Sequence, residues 1–501
     1  MIELTAAEVA AATGGRLSAD PDVRVGGPVV VDSRKVVPGA LFVALPGEHV
    51  DGHDFAPRAV ADGATLVLAA RELDEPCVVV DDVQTALGEL ARHVLATLRE
   101  RGDLRVVAVT GSVGKTTTKD LLGQLLRAEG PTVVPQGSFN NEIGLPLTVL
   151  EADGSTRFLV LEMGASGVGH LTYLTRIAPP DVSVVLTVGS AHLGEFGGIE
   201  AVARAKAEIV AGLAPGGTAV LNADDLRVAA MADVAPGEVV TFGTIPSADV
   251  RAEDLRIDRT GRVAFTLRTR ATADGTSADG TTTAGGTTAE AAVTLGLVGE
   301  HHVTNALAAA TAALRLGVAL PDVAARLSDA RALSPHRMQV TERADGVTVI
   351  DDSYNANPDS MRAALKALAV VAGRDRRSVA VLGEMLELGD DSRVAHDDIG
   401  RLVVRLNIKL LVVVGEGAGG IHDGATQEGS WGDETRFVPD VAVAAALLRE
   451  ELREGDVVLV KASNGSGLWR LGDELAAADP AVTSGLSDRA VAPGEPQDGR
   501  A

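Results

Sequence analysis

At 501 residues the chain exceeds one ordinary domain, and a spacing of roughly 150 residues per domain predicts about three. Hydrophobic residues at 46% and charged residues at 23% exclude wholesale disorder, and aromatics at 2% leave few platforms for stacking bases. The net charge of -24 repels nucleic acid and anionic membranes, although it leaves room for a local basic pocket. One cysteine, Cys77, excludes an intrachain disulfide framework and a cysteine-based zinc site. The opening MIELTAAEVAAATGG lacks the basic and apolar regions of a signal peptide, and no apolar run reaches the roughly 18 residues of a membrane span. These features predict a cytoplasmic protein without membrane insertion.

In chain order, residues 1–103 read as a compact α/β unit. Short apolar runs at 29–31, 41–44, 65–68 and 77–80 have strand length, and 83–99 has helical periodicity. The pattern breaks around 101–103. A second unit, 104–327, alternates strands at 106–109, 158–161, 182–188 and 218–221 with helices, including helices opening at Thr116 and Ile199. Continuous apolar strands between helices predict a parallel sheet covered on both faces. Two further β-runs, 263–270 and 293–298, flank a Thr/Ala/Gly/Asp stretch at 271–292 that reads as a mobile surface insertion. A third unit, 328–479, has strands at 347–350, 378–382, 410–414 and 457–460, again alternating with helices. A polar tail, 480–501, is expected to be disordered. The fold class is therefore α/β, with a central phosphate-loop sheet domain and a second parallel-sheet domain after it.

The sharpest local signal is the run 106–119, VVAVTGSVGKTTTK. An apolar strand enters a glycine-containing turn, and Gly114-Lys115-Thr116 opens a helix. Backbone N–H groups of such a turn and of the helix N-terminus cradle phosphate oxygens. Thr110, Gly111, Ser112, Val113, Gly114, Lys115, Thr116 and Thr117 are the candidate nucleotide-binding residues. Lys115 is expected at the terminal phosphates and Thr116 at Mg²⁺. The first glycine is Gly111, with Val109 where the longer form of this loop has glycine.

Ligands of open parallel sheets sit beyond the carboxyl ends of strands. There stand Glu162, a carboxylate suited to a hard cation, and, past 182–188, His192. Lys206 follows on a helical stretch. In the third unit the strand ends carry Asp351-Asp352, Gly383-Glu384, Gly415-Glu416 and Lys461, a second ligand-facing rim.

Over about residues 25–475 the chain resembles the Mur ligase family. The likeness rests on DSRKVVPGALFVALPGEHVDGHDF (32–55), TGSVGKTTTKD (110–120), SFNNEIGLPLTVL (138–150), LEMGAS (161–166), GSAHLGEFG (189–197) and AKAEI (205–209). It continues through LNADD (221–225), GEHHVTNALAA (299–309), SPHRMQV (334–340), DDSYNANPDSM (351–361) and LGEMLELG (382–389). The resemblance implies three domains, for a UDP-sugar, for ATP, and a C-terminal Rossmann-like one. It implies ATP and Mg²⁺ as cofactors and amide formation between UDP-N-acetylmuramoyl-tripeptide and D-alanyl-D-alanine; a monomer is expected. By the same resemblance Lys115, Glu162, His192 and Lys206 are catalytic, and Thr116, Glu162, His192 and Lys206 hold metal, the lysine as a carbamate. Asn305 and Asp352 would contact the nucleotide's adenine and ribose ends, and Arg337 its phosphates. Ser33 and Arg34 would lie near uridine, with Asn140, Asn141, Glu142, Asn355 and Asn357 at substrate. The C-terminal Lys-Gly-Ser-Arg pattern of relatives reads Lys461-Ala-Ser-Asn464 here, so no arginine contact carries over at 464.

Two competing readings make different demands. A folylpolyglutamate synthase-like ligase would share the phosphate loop but lack the 32–55 block. A nucleotide-dependent switch reading guanine would want Asn-Lys-x-Asp, and the nearest match, Asn222-Ala-Asp-Asp225, has no lysine.

Overall fold

The computed structural model describes residues 1–47, 50–189, 197–270, 289–429 and 434–477. His192, residues 271–288 and the 480–501 tail lie outside the described residues. The chain divides into two compact units, Met1–Pro335 with Glu387–Gly389, and His336–Leu386 with Asp390–Ala501.

The first unit opens with β1 (Leu4–Thr5), β2 (Arg16–Ser18), β3 (Arg24–Val25), β4 (Val29–Val30), β5 (Leu41–Val43), β6 (Leu66–Ala69) and β7 (Cys77–Val79). Five of these form a sheet in the order β2-β7-β6-β5-β4, and β1 pairs separately with β3. Asp82 caps the helix Val83–Arg101 by accepting from the Thr85 N–H at 2.6 Å. Leu87, Leu90, Val94 and Leu98 recur on this helix at spacings of three and four. They share one apolar core with Leu171, Leu174 and Ile177 of the helix His170–Ile177, which follows the central sheet's third strand. The N-terminal layer and the central sheet are thus joined by a continuous core.

That sheet comprises β8 (Arg105–Thr110), β9 (Thr132–Val133), β10 (Phe158–Glu162), β11 (Val182–Val185), β12 (Thr218–Asn222), β13 (Glu238–Gly243), β14 (Val250–Ile257), β15 (Arg262–Thr269) and β16 (Ala289–Val298). Its order is β16-β15-β14-β13-β12-β11-β8-β10-β9. From β9 to β14 every pairing is parallel, as expected, and β15 and β16 add an antiparallel edge. β10, β11 and β12 are buried along their whole length, so their apolar runs serve both faces, whereas β15 alternates inside and outside residues.

Two expectations need correction. The strand at 182–188 ends at Val185, because side chains then take over backbone partners: Asn222 donates to the Leu186 carbonyl at 2.8 Å, and Asp225 accepts from the Val188 N–H at 2.8 Å. The segment 271–292 is not all insertion, since residues 289–292 pair with 266–269 in register. Composition hid this, because the pairing is satisfied by backbone groups and needs no apolar side chain.

The second unit holds β17 (Gln339–Glu342), β18 (Thr348–Asp351), β19 (Ser378–Leu382), β20 (Leu410–Val414), β21 (Thr435–Val438) and β22 (Val457–Lys461). The order is β17-β18-β22-β19-β20-β21, parallel except for β17. β19, β20 and β22 are buried throughout, which fits their unbroken apolar sequences. Among the described residues, no helix is long and apolar enough to cross a membrane.

Candidate active site

In the first unit β8 lies between β10 and β11, which the chain reaches on opposite sides of it. Its carboxyl end is therefore a topological switch point, where open α/β sheets leave a crevice. The phosphate loop leaves β8 there. Thr110 ties strand to strand by donating its hydroxyl to the Met163 carbonyl at 2.8 Å. Ser112 fixes the loop to the end of β11: its N–H donates to the Thr187 carbonyl at 2.9 Å, and its hydroxyl accepts from the Gly189 N–H at 2.9 Å.

Gly114 begins the helix Lys115–Leu126 at a φ of 84° and, as a glycine, offers no side chain of its own as a cap. The left-handed backbone favours glycine, and a Cβ there would also come within 2.2 Å of Asn305 Oδ1. The N–H groups at the start of such a helix suit an anion. Lys115 Nζ donates to the Gly111 carbonyl at 2.9 Å, so the ammonium lies along the loop.

Glu162 ends β10 one strand away, 1% exposed. Its two oxygens are separately engaged: Thr116 donates to Oε2 at 2.9 Å, and Asn140 donates to Oε1 at 2.8 Å. A hydroxyl and a carboxylate are hard oxygen donors, so this pair fits Mg²⁺ in donor type. Asn140 is anchored in turn, its carbonyl accepting from the Gly164 N–H at 2.8 Å. Asn141 turns its carbonyl oxygen to the Gly144 N–H at 2.9 Å, at the start of the helix Gly144–Val149. Glu142 meets His170, with Nε2 2.8 Å from Oε1. The Ser166 N–H donates to His170 Nδ1 at 3.1 Å, which fixes the orientation of the ring.

Lys206 is buried on the helix Ile199–Ala211. Burial, aided by the Lys115 ammonium, holds its pKa down to about 7. Lys206 therefore lies within electrostatic reach of the phosphate loop. Two residues on, Glu208 accepts from the N–H groups of Gly169 and Thr172 at 2.6 and 2.8 Å, bolting this helix to the start of His170–Ile177.

Asn305, on the helix His302–Arg315, packs its amide against Gly114 and lies 3.3 Å from His302 Nδ1. Burial, with His301 alongside, holds the His302 pKa well below the usual range, so the imidazole is neutral. In the N-terminal layer Ser33 is buried, and the Arg34 side chain forms a two-point pair with Asp32 at 2.9 and 2.8 Å.

The second unit carries Arg337, Asp352, Asn355, Asn357 and Lys461. The Arg337 guanidinium carbon lies 4.4 Å from the centre of the Tyr354 ring. Asp352 accepts from the buried Lys461 at 2.5 Å, and Lys461 also donates to the Asn355 carbonyl at 2.8 Å. Asn357 caps the helix Pro358–Ala372 through the Ser360 N–H at 2.9 Å.

The structure thus gathers Thr110–Thr117, Asn140, Glu162, Lys206 and Asn305 in one region of the first unit. His170, Glu208 and His302 belong to the same region and were not singled out from sequence. The signal for His170 was present in the eight-residue spacing from Glu162, at the start of the helix that follows β10.

A phosphate loop at a switch point, a buried carboxylate and a buried lysine define a nucleotide-dependent group-transfer enzyme. Residues 28–95 match the Mur ligase family, catalytic domain; 109–313 match the Mur ligase middle domain; and 336–464 match the Mur ligase, glutamate ligase domain. The chain belongs to the Mur ligase family. It is 47% identical to the UDP-N-acetylmuramoyl-tripeptide–D-alanyl-D-alanine ligase of Mycobacterium tuberculosis, covering 96% of this chain and 99% of that protein. With the Escherichia coli protein of the same name the identity is 34%, over 88% and 91%. A crystal structure of MurF from Acinetobacter baumannii superposes with a TM-score of 0.82 at 32% identity, covering 95% and 99%. MurF ligase from Thermotoga maritima in complex with ADP gives 0.72 at 29% identity, over 89% and 96%.

Proposed function

We infer that this chain is an ATP-dependent, ADP-forming amide ligase that joins UDP-N-acetylmuramoyl-tripeptide to D-alanyl-D-alanine in cytoplasmic peptidoglycan precursor synthesis. The observation that carries the reading is the convergence of the phosphate loop, the Thr116–Glu162 pair and the buried Lys206 beside the carboxyl ends of β8 and β10. Near-full-length likeness to ligases of that name supports the choice of substrates.

The chemistry asks for what these residues offer. A carboxylate oxygen of the tripeptide attacks the γ-phosphorus, the bond to the β–γ bridging oxygen breaks, and ADP leaves. The amine of D-alanyl-D-alanine then attacks the acyl phosphate carbonyl, phosphate departs, and the amine loses a proton. The first step brings two anions together. Lys115 and the N–H groups at the start of Lys115–Leu126 offset that repulsion and stabilise charge on the transferring group. Mg²⁺, when bound, supplies further electrostatic stabilisation to the phosphates. Thr116, Glu162 and a carbamylated Lys206 would hold it, with His192 as a fourth candidate outside the described residues. Burial favours the neutral Lys206 amine, the form that reacts with CO₂. Asn140 positions Glu162.

On the same reading, 1–103 serves the UDP-sugar through Ser33 and Arg34, 104–327 serves ATP through the loop and Asn305, and 328–479 contributes Arg337 and Asp352 to the nucleotide. Glu142, Asn141, Asn355 and Asn357 are assigned to peptide substrate. The test is ADP release with each nucleotide-peptide, with and without D-alanyl-D-alanine. Release should require both partners and yield the joined peptide in equal amount. Equal turnover with a free amino acid as acceptor would refute the assignment.

A further inference from the structure

Two residues of the second unit, His336 and Met338, hold left-handed backbone at φ of 56° and 50°, and neither is glycine. Such conformations are unfavourable for side chains of this kind and persist only where surrounding contacts enforce them. The residue between them is Arg337. Each strained neighbour is pinned by one of two consecutive carboxylates at the end of β18. Asp351 Oδ2 lies 2.7 Å from His336 Nδ1, and Asp352 Oδ1 accepts from the Met338 N–H at 3.1 Å.

The carboxylates are themselves held. Asp351 Oδ1 accepts from the Ser353 N–H and hydroxyl at 3.0 and 2.5 Å, and Asp352 Oδ2 accepts from Lys461 at 2.5 Å. The segment is closed by the Tyr354 N–H, which donates to the His336 carbonyl at 3.3 Å, while the Tyr354 ring takes the Arg337 guanidinium on its face. A Cβ at Gly472 would approach Asp351 Oδ2 to 2.3 Å, so this carboxylate also depends on a glycine behind it.

We propose that Asp351–His336 and Asp352–Met338 form a two-point latch that aims the Arg337 guanidinium, making His336 a positioning residue for it. The inference rests on the proposed role of Arg337 at the nucleotide's phosphates. An unstrained segment would let the long arginine side chain sample many directions; clamping the backbone on both sides and stacking the head group removes that freedom before ATP binds. His336 acts through Arg337 and touches no reacting atom.

The full-length protein tests this with a double-mutant cycle between His336→Ala and Arg337→Ala, reading kcat, KM for ATP and thermal stability. Arg337→Ala should cut kcat by at least about a hundredfold, as loss of a phosphate-directed charge does. His336→Ala should cut kcat about tenfold or more, yet add nothing in the Arg337→Ala background, although it lowers stability in both. His336→Asn should recover most of the rate, because asparagine tolerates left-handed backbone and its amide can reach Asp351. Equal kcat losses from His336→Ala in both backgrounds would reduce the histidine to a structural role and overturn the latch. A near-normal rate for Arg337→Ala would instead overturn the reading of Arg337. If His336→Ala fails to fold, the Asn variant and Gly472→Ala, which displaces Asp351, carry the same comparison.

Discussion

Replacing Lys206 separates two opposed consequences of one buried amine. Its pKa is held down to about 7 by burial and by Lys115, from an ordinary value of 10.5. Near neutral pH a substantial share of the side chain is then neutral, against about one part in a thousand for a solvated lysine. The neutral amine is the nucleophile that attacks CO₂, so burial favours carbamate formation by enlarging the reactive fraction. The same depression is a cost to the apo fold. The folded state binds fewer protons than the unfolded one between pH 7 and 10.5, so stability rises with pH across that window, and the full penalty applies below pH 7. It corresponds to at most on the order of 5 kcal/mol. Lys206→Met should therefore be more stable than the parent in metal-free, carbonate-free buffer at pH 6 to 7, with the gap closing as pH approaches about 10. Lys206→Ala should be nearly inactive and regain part of its rate with added short-chain carboxylates, which can occupy the vacated position. Isotopically labelled bicarbonate should report a carbamate in the parent alone. A gap in stability that does not change with pH, or near-normal turnover by Lys206→Ala, would refute the reasoning.

Other positions test the remaining parts of the site. Lys115→Ala should abolish turnover without unfolding the chain, since phosphoryl transfer depends on placed charge; a variant keeping roughly a tenth of kcat would remove the phosphate-loop assignment. Gly114→Ala puts a Cβ 2.2 Å from Asn305 Oδ1 and strains the backbone, which should cost about 1–3 kcal/mol in chemical denaturation and abolish ATP binding. Adding Asn305→Ala should return part of the stability, and no recovery would place the strain elsewhere. Asn140→Ala removes the 2.8 Å donor to Glu162 and should raise the Mg²⁺ concentration needed for half-maximal rate; an unchanged Mg²⁺ dependence would show that Glu162 needs no such guide.

What the sequence determined by itself was what depends on neighbours along the chain. Strand β8, the glycine turn and the helix at Lys115 follow from an apolar run, a residue able to take φ near 84° and a helix-forming stretch, all between Arg105 and Leu126. β19 and β20 were legible to their last residues because strands buried on both faces read as unbroken apolar runs. The motifs around Glu162, Asn140 and Lys206 marked chemistry but not contacts. Only the tertiary structure decided that Asn140 serves Glu162 and that His170 faces Glu142. It alone placed β15 and β16 antiparallel at the sheet edge and ended β11 at Val185, where side chains of Asn222 and Asp225 replace the ladder. The left-handed backbone at His336 and Met338 is invisible to local propensity, because carboxylates 14 and 15 residues away stabilise it. Propensity and periodicity are set by adjacent residues, whereas burial lowers the Lys206 pKa and distant hydrogen bonds hold a disfavoured φ. Both of those effects exist only once separate strands and helices have packed together.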